Sequence, residues 1–333
     1  MRHAWPTPRA LRAPWLTGAR LWLALGIAIG LPLPAAAQSF PSKPLHLIVP
    51  SAPGGSADAS MRIVGAALAK RLGQQVLIEN RPGADGIIAA QAVAGAPADG
   101  YTLLMGSNTA MVAVPALRPS PPYDPFKAFT PISTVGHFTI FLMVPASLPA
   151  RTTKELLDLV AANPGKYSSA SSNSTSELAM LQLLGGREVV NVRYKGDAPA
   201  FNDLIGGQIQ MMFSTAVTAQ AFVRDGRARA LLTAQSQRSS LLPDVPTAPE
   251  LGYGALTLRA WVGIFGPAGM PAPVVTRLNR ELQQVLAQAD VREQLAAVGF
   301  EGYGMPTAQF SAYYRQQYDN FVKLVREKNI KFD

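Results

Sequence analysis

From residue 40 onwards, short apolar runs alternate with stretches whose apolar residues recur every three or four positions. The first pattern predicts buried strands and the second amphipathic helices. Leu45, Leu47, Ile48 and Val49 make a strand that Pro50 ends. Met61, Val64, Leu68 and Leu72 then carry helical spacing, so a helix is expected over 59–73, stopping at Gly73. Strands are expected over 76–79, 101–105 and 140–144, with a helix over 87–96. The proline-dense run 115–131 reads as a loop. Thr152-x-x-Glu155 forms a capping box ahead of Leu156, Leu157 and Val160. Strands over 189–194, 209–213 and 229–233 enclose a helix over 199–205 and another ending at Asp225. A strand over 261–265 follows. The tail reads as helix over 274–286 and as a last helix capped by Thr307, with Phe310, Tyr314, Tyr318, Phe321 and Val325 as its core stripe. This alternation predicts an α/β fold.

The stretch 45–62, LHLIVPSAPGGSADASMR, combines a strand, a glycine loop and a helix start. The first turn of a helix has N–H groups without intrahelical partners and a partial positive charge, which suits an anion. Ser51, Gly54, Gly55, Ser56, Ala57 and Asp58 are therefore candidates for holding a small carboxylate. The plainer reading is a tight β–α turn in which glycine only permits φ > 0. Asp58 either caps its helix or holds a hydroxyl or amine of a ligand. A second polar loop, Gly106-Ser107-Asn108-Thr109, is expected just past a strand end, where open α/β sheets place ligands. A third candidate is the tract 168–176, in which seven of nine residues are Ser or Thr. It reads equally as a flexible linker or as a second anion cradle feeding a helix start.

Composition changes the picture at the amino terminus. Arg2, Arg9, Arg12 and Arg20 precede an apolar core from Leu21 to Leu31, 11 residues long, then Pro32, Pro34 and Ala35-Ala36-Ala37. Residues 1–37 thus read as a secretory signal; the apolar core is shorter than the roughly 20 residues that span a bilayer. Four arginines lie in that segment, so nearly half of the formal charge of +9 belongs to it. The remainder is no nucleic-acid signature. With no cysteine, disulfides, thiolate chemistry and a lipid-anchored amino terminus are excluded. An exported, soluble chain in the periplasm is expected.

From Phe40 to the C-terminus the chain resembles the substrate-binding receptors of tripartite tricarboxylate transporters, the Bug receptors. The segments that carry the likeness are Pro41-Ser42-Lys43-Pro44 with IVPSAPGGSAD and Arg62, GQQVLIENRPGADG, PADGYTLLMGS, PPYDPFKAFTPI, ANPGKYSSASS, YKGDAPAFNDLIGGQIQMMF, RSSLLPDVPTAPELG and WVGIFGPAGMPAPVVTRLN. The resemblance implies a two-lobed periplasmic binding protein, type II-like. Two α/β lobes joined by crossing strands would close on a small carboxylate. Lobe 1 is expected over 38–140 and 261–333, and lobe 2 over 141–260. The implied site takes in Ser51 and Gly54 to Asp58, and also Ser107, Asn108 and Thr109. From lobe 2 it adds Ser169, Ser171, Ser172 and Asn173, then Ser174 and Thr175, with Ser214 and Thr215 at its margin. The chain would act as a monomer and deliver its ligand to transporter subunits in the membrane, with no cofactor, metal or nucleic acid.

The sequence also departs from the family pattern. Ser51 stands where an aromatic is usual, Ser171 and Asn173 where glycines are, Glu177 where a histidine is, and Asp85 and Asp197 where glycines are. Glu177, if it faces the cleft, disfavours a highly charged anion or favours an amine-bearing ligand, so citrate is not expected to be the natural one. A hydrolase is the rival class, but a serine nucleophile needs an oriented base. Only His46 and His137 lie outside the signal, both in strand-like runs, and no G-x-S-x-G, H-E-x-x-H or P-loop occurs. A sensor signalling to another membrane partner would have the same cleft.

Overall fold

Leu45–Val49 forms β1, whose side chains are almost all buried, as expected of a central strand in an α/β sheet. The helix that follows, α1 (Ser56–Leu72), turns Met61, Val64, Leu68 and Leu72 inward; burying each contributes about 1.5–3 kcal/mol. Gly73, left-handed at φ 68°, ends it. The helix begins three residues earlier than its apolar spacing indicates, because polar residues fill its first turn.

The computed structural model describes Met1 and residues 3–5, 40–118, 120–235, 237–254, 256 and 260–327. The chain divides into two compact units, Met1–Ser39 and Phe40–Asp333. In the first, the four described residues carry no regular secondary structure. The expected signal otherwise lies outside the described residues.

The second unit contains two sheets. In chain order the elements after α1 are β2 (Val76–Asn80), α2 (Ile87–Ala94), β3 (Thr102–Ser107), α3 (Val114–Leu117), β4 (Phe129–Phe138), β5 (Ile140–Pro145) and α4 (Thr153–Ala161). Then come β6 (Ser168–Ser171), α5 (Ser174–Leu184), β7 (Val190–Arg193), α6 (Asp197–Ile205), β8 (Met211–Thr215), α7 (Ala216–Arg224) and β9 (Ala228–Thr233). The chain closes with β10 (Ala260–Pro267), α8 (Ala272–Leu286), α9 (Ala289–Ala297), β11 (Phe300–Gly302) and α10 (Thr307–Glu327). One sheet has the order β11-β4-β10-β3-β1-β2 and the other β7-β6-β8-β5-β9. β1 pairs in parallel with β2 and β3, and β6 with β7 and β8. β10 runs antiparallel between β3 and β4.

Several expectations are corrected. The run 115–131 is not all loop: α3 lies at its start, and β4 begins before its end. β4 is hard to read because Pro131, Ser133 and Thr134 interrupt its apolar pattern; the two hydroxyls are buried and donate to backbone carbonyls. Gly106 and Ser107 belong to β3 and not to a loop. A Cβ on Gly106 would lie 2.5 Å from the Phe265 ring, so this glycine serves close packing. The tract 168–176 is strand β6 running into α5, not a linker. Thr152 does accept from the Glu155 N–H (3.1 Å), but the Glu155 carboxylate reaches back to the Arg151 N–H (2.7 Å). Thr307 donates its hydroxyl to the Ile132 carbonyl (2.9 Å).

The two sheets are joined at Thr139, between β4 and β5. Its N–H donates to the Gly299 carbonyl (2.9 Å), and its carbonyl accepts from Ala216 N–H (2.9 Å), the first amide of α7. Gly299 is left-handed (φ 66°), and a Cβ there would meet the Ala216 methyl at 2.7 Å. Glycine is required for the backbones to come this close.

Candidate functional site

Four helical segments begin where the two lobes meet. α1 follows β1, and a π-helical turn, Thr109–Ala113, follows β3. From the other lobe, α5 follows β6 and α7 follows β8. Ser56 Oγ at the start of α1 donates to Thr215 Oγ1 at the start of α7 (3.4 Å). Thr109 Oγ1 lies 2.8 Å from Thr175 Oγ1, and the latter also donates to Asn108 Oδ1 (3.3 Å). The helix starts therefore face each other in pairs, α1 with α7 and the π-turn with α5. Ser174 Oγ adds a fourth bond across the junction, to Asp85 Oδ2 (3.1 Å).

Asp58 anchors the first loop. Its Oδ2 accepts from Gly54 N–H (3.0 Å) and Arg62 Nε (3.0 Å). Its Oδ1 accepts from Asn80 Nδ2 (3.0 Å) and pairs with Arg62 Nη2 (2.9 Å). Asn80 Nδ2 also donates to the Ser51 carbonyl (3.1 Å), so the whole loop hangs from one carboxylate. The Arg62 hydrogen bond holds the Asp58 carboxyl below the usual carboxylate range, against the opposing effect of burial. Asp58 is thus not an N-cap: Gly55 holds that position with no side-chain cap, and Asp58 reaches back from the third helical residue. The N–H groups of Ser56 and Ala57 have no partner within the helix. Ser51 Oγ is shut off from solvent and has no hydrogen-bond partner.

The serine tract is used differently. Asn173 and Ser176 form a capping box: Asn173 Oδ1 accepts from Ser176 N–H (3.0 Å), and Ser176 Oγ accepts from Asn173 N–H (3.3 Å). Ser169 and Ser171 turn sideways to Asn191 on β7 (3.4 and 3.1 Å), and Ser172 Oγ accepts from the Asn173 side chain. Ser174 and Thr175 are the members that meet the opposite lobe. Ser107 Oγ accepts from Ala110 N–H (3.3 Å) inside its own turn.

The last corner is held by Asp197. Its Oδ2 accepts from Ser214 Oγ (2.6 Å), Thr215 N–H (3.0 Å) and Thr215 Oγ1 (3.1 Å). Glu177 pairs with Arg193 (2.8 Å); burial raises its carboxyl pKa, and Arg193 works against that rise. Sequence reasoning missed Asn80 and the anchoring role of Asp197, whose partners lie 17 and 18 residues away on another strand. Two surface hollows, beside Tyr318–Glu327 and beside Pro149–Leu159, lie away from this junction.

Neither histidine serves a nucleophile. His46 pairs with Glu79 on the sheet surface, and His137 lies 3.0 Å from Glu301. Among the described residues there is no group of three or more His, Cys, Asp or Glu placed to hold a metal ion.

Two α/β lobes joined by crossing strands, with helix starts from both meeting at their junction, define a two-lobed periplasmic binding protein. Residues 60–330 match the tripartite tricarboxylate transporter family receptor (TctC) profile, and the chain belongs to that family. It is a solute receptor and not an enzyme. It is 33% identical over 320 residues to protein BugT of Bordetella pertussis, spanning 94% of this chain and 98% of that protein. Among solved structures it resembles MatC of Rhodopseudomonas palustris with bound malate (31% identity, TM-score 0.75, 86% of this chain and 100% of that one). It also resembles R. palustris Rpa4515 with adipate (27% identity, TM-score 0.81, 88% and 99%).

Proposed function

We propose that this chain captures a small carboxylate in the crevice between its lobes and delivers it, as a monomer in the periplasm, to the membrane subunits of a tripartite tricarboxylate-type transporter. The observation that carries this reading is the facing of helix starts from both lobes, α1 against α7 and the π-turn against α5. Helix starts bring unpaired N–H groups and partial positive charge to one place, which is what a carboxylate needs. The malate and adipate complexes of the two relatives support the ligand class. Lobe boundaries near 140 and 260 and an exported chain after residue 37 complete the proposal. Among the described residues no helix is long and apolar enough to cross a membrane.

Within the crevice the roles divide. The N–H groups of Ser56 and Ala57 and the Ser51 hydroxyl are the donors offered to the ligand. Asp58 and Asp197 hold the loops that present them. The ligand bridges the lobes and shifts an open–closed equilibrium towards the closed form.

The test is calorimetric titration of the exported chain with malate, adipate, citrate and a panel of amino acids. Micromolar binding of at least one carboxylate is expected, with citrate weaker than the best. Small-angle scattering should show compaction with that ligand. Absence of binding by every carboxylate would overturn the reading.

A further inference from the structure

Four acidic side chains surround the junction, and they are not equivalent. Asp58 is matched by Arg62, and Glu177 by Arg193. Asp85 and Asp197 have no cationic side chain within ion-pair distance among the described residues. Each spends one oxygen on the protein. Asp85 Oδ2 takes the Ser174 hydroxyl, and Asp197 Oδ2 takes Ser214 and Thr215. The Oδ1 of each accepts no hydrogen bond among the described residues. Both residues are half-exposed. They reach the crevice from opposite lobes, Asp85 from the turn after β2 and Asp197 from the first residue of α6.

Asp197 is also close to the free donors of α1. A chain of two hydrogen bonds, Asp197 Oδ2 to Thr215 Oγ1 (3.1 Å) and Thr215 Oγ1 to Ser56 Oγ (3.4 Å), links it to the helix start that offers N–H groups. An acceptor oxygen beside an anion cradle fits a molecule with a carboxylate and an ammonium on one carbon. The ammonium brings three N–H donors and a positive charge, which an open carboxylate oxygen can use. At the other corner, Asp85 stands beside the π-turn and α5, where a second ligand carboxylate would face it. Like charges at that range repel.

The geometry points to an α-amino acid with an uncharged or basic side chain as the ligand class, with Asp197 receiving the amine and Asp85 rejecting a second acid group. This rests on the crevice being the carboxylate site. It moves the source of amine selectivity from Glu177, which Arg193 pairs, to two carboxylates that each keep one oxygen open among the described residues.

The experiment titrates two ladders of equal length into the exported chain: glutarate, glutamate, glutamine; and succinate, aspartate, asparagine. Each first step adds the amine, and each second step removes the second charge. Affinity is expected to rise along at least one ladder, by tenfold or more from end to end. Asp197→Asn keeps an acceptor for Ser214 and Thr215 but removes the charge; it should cut the glutamate-to-glutarate preference at least tenfold. Asp85→Asn keeps a residue that tolerates the left-handed φ of 56°, and should bring glutamate up towards glutamine. Melting temperatures of both variants check that they fold. If diacids bind tightest, or the ratios are the same in the variants, the amine assignment falls while the receptor reading stands. If no ladder member binds but malate or adipate does, it falls as well. If no carboxylate of any kind binds, both fall together.

Discussion

Asp58 and Asp197 perform the same mechanical task in opposite lobes. Each gathers the donors of a strand-to-helix loop onto one carboxylate and so fixes the start of a helix that meets the opposite lobe. They differ in charge balance and in origin. Asp58 sits on the helix it serves and is neutralised one turn later by Arg62. Asp197 sits on α6, serves α7, and has no ion-pair partner among the described residues. A neutralised anchor is scaffold only. An open one is scaffold and, on the proposed function, also a feature the ligand would have to answer.

That difference sets the size of the expected effects. Asp58→Ala should be the most severe, at roughly 2–3 kcal/mol of stability, because the buried carboxylate is the shared acceptor of the half-buried Asn80 amide, Gly54 N–H and Arg62. Chemical denaturation measures it, and affinity for any carboxylate ligand should fall with it. Were Asp58→Ala stable but unable to bind, Asp58 would be a ligand contact and the contrast with Asp197 would vanish. Asp197→Ala should cost less, about 1–2 kcal/mol. Asp197→Asn should cost under about 0.5 kcal/mol, as expected where a retained acceptor replaces an uncompensated charge. Equal losses in Asp197→Asn and Asp197→Ala would mean that charge is essential to the anchor.

Asn173→Ala, which removes one half of the capping box at α5, should destabilise by about 1 kcal/mol. The smallest effect is a slope. The Asp58 carboxyl is depressed, chiefly by Arg62. Its contribution is therefore fully present above the unfolded carboxyl value near 3.9 and is lost as pH falls through the lower folded value. Asp58→Asn should flatten the acid limb of the stability profile below about pH 4. Denaturation midpoints across that range decide it.

The alternation of strands and helices was legible because burial imposes it on the sequence: Leu45–Val49 and the Met61–Leu72 spacing are visible without coordinates. β4 was not, because Ser133 and Thr134 are buried by hydrogen bonds to carbonyls and not by apolarity. β11 is three residues long and α9 has a weak apolar face, so neither leaves a pattern. At the junction, the glycine loop and the serine tract could be marked, since helix starts have local signatures. The serine tract reads equally as linker and as cradle, and only its Ser174 and Thr175 hydrogen-bond to the other lobe. Asp58 and Asp197 could be marked, but not the partners that make them anchors. Asp197 meets Thr215, and Asp58 meets Asn80, through pairings that exist only once the strands are side by side.

The doubly tied amide at Thr139 bears on how the molecule opens. Its N–H is held by Gly299 on one side and its carbonyl by Ala216 on the other, and Ala216 is the first amide of α7. The spine between the lobes is thus stitched to the start of α7, the helix that meets α1 across the junction. Separation by sliding would tear both stitches. A swing about Thr139 would tear neither, so an opening of the proposed kind would be widest at the outer edge and least beside Thr139.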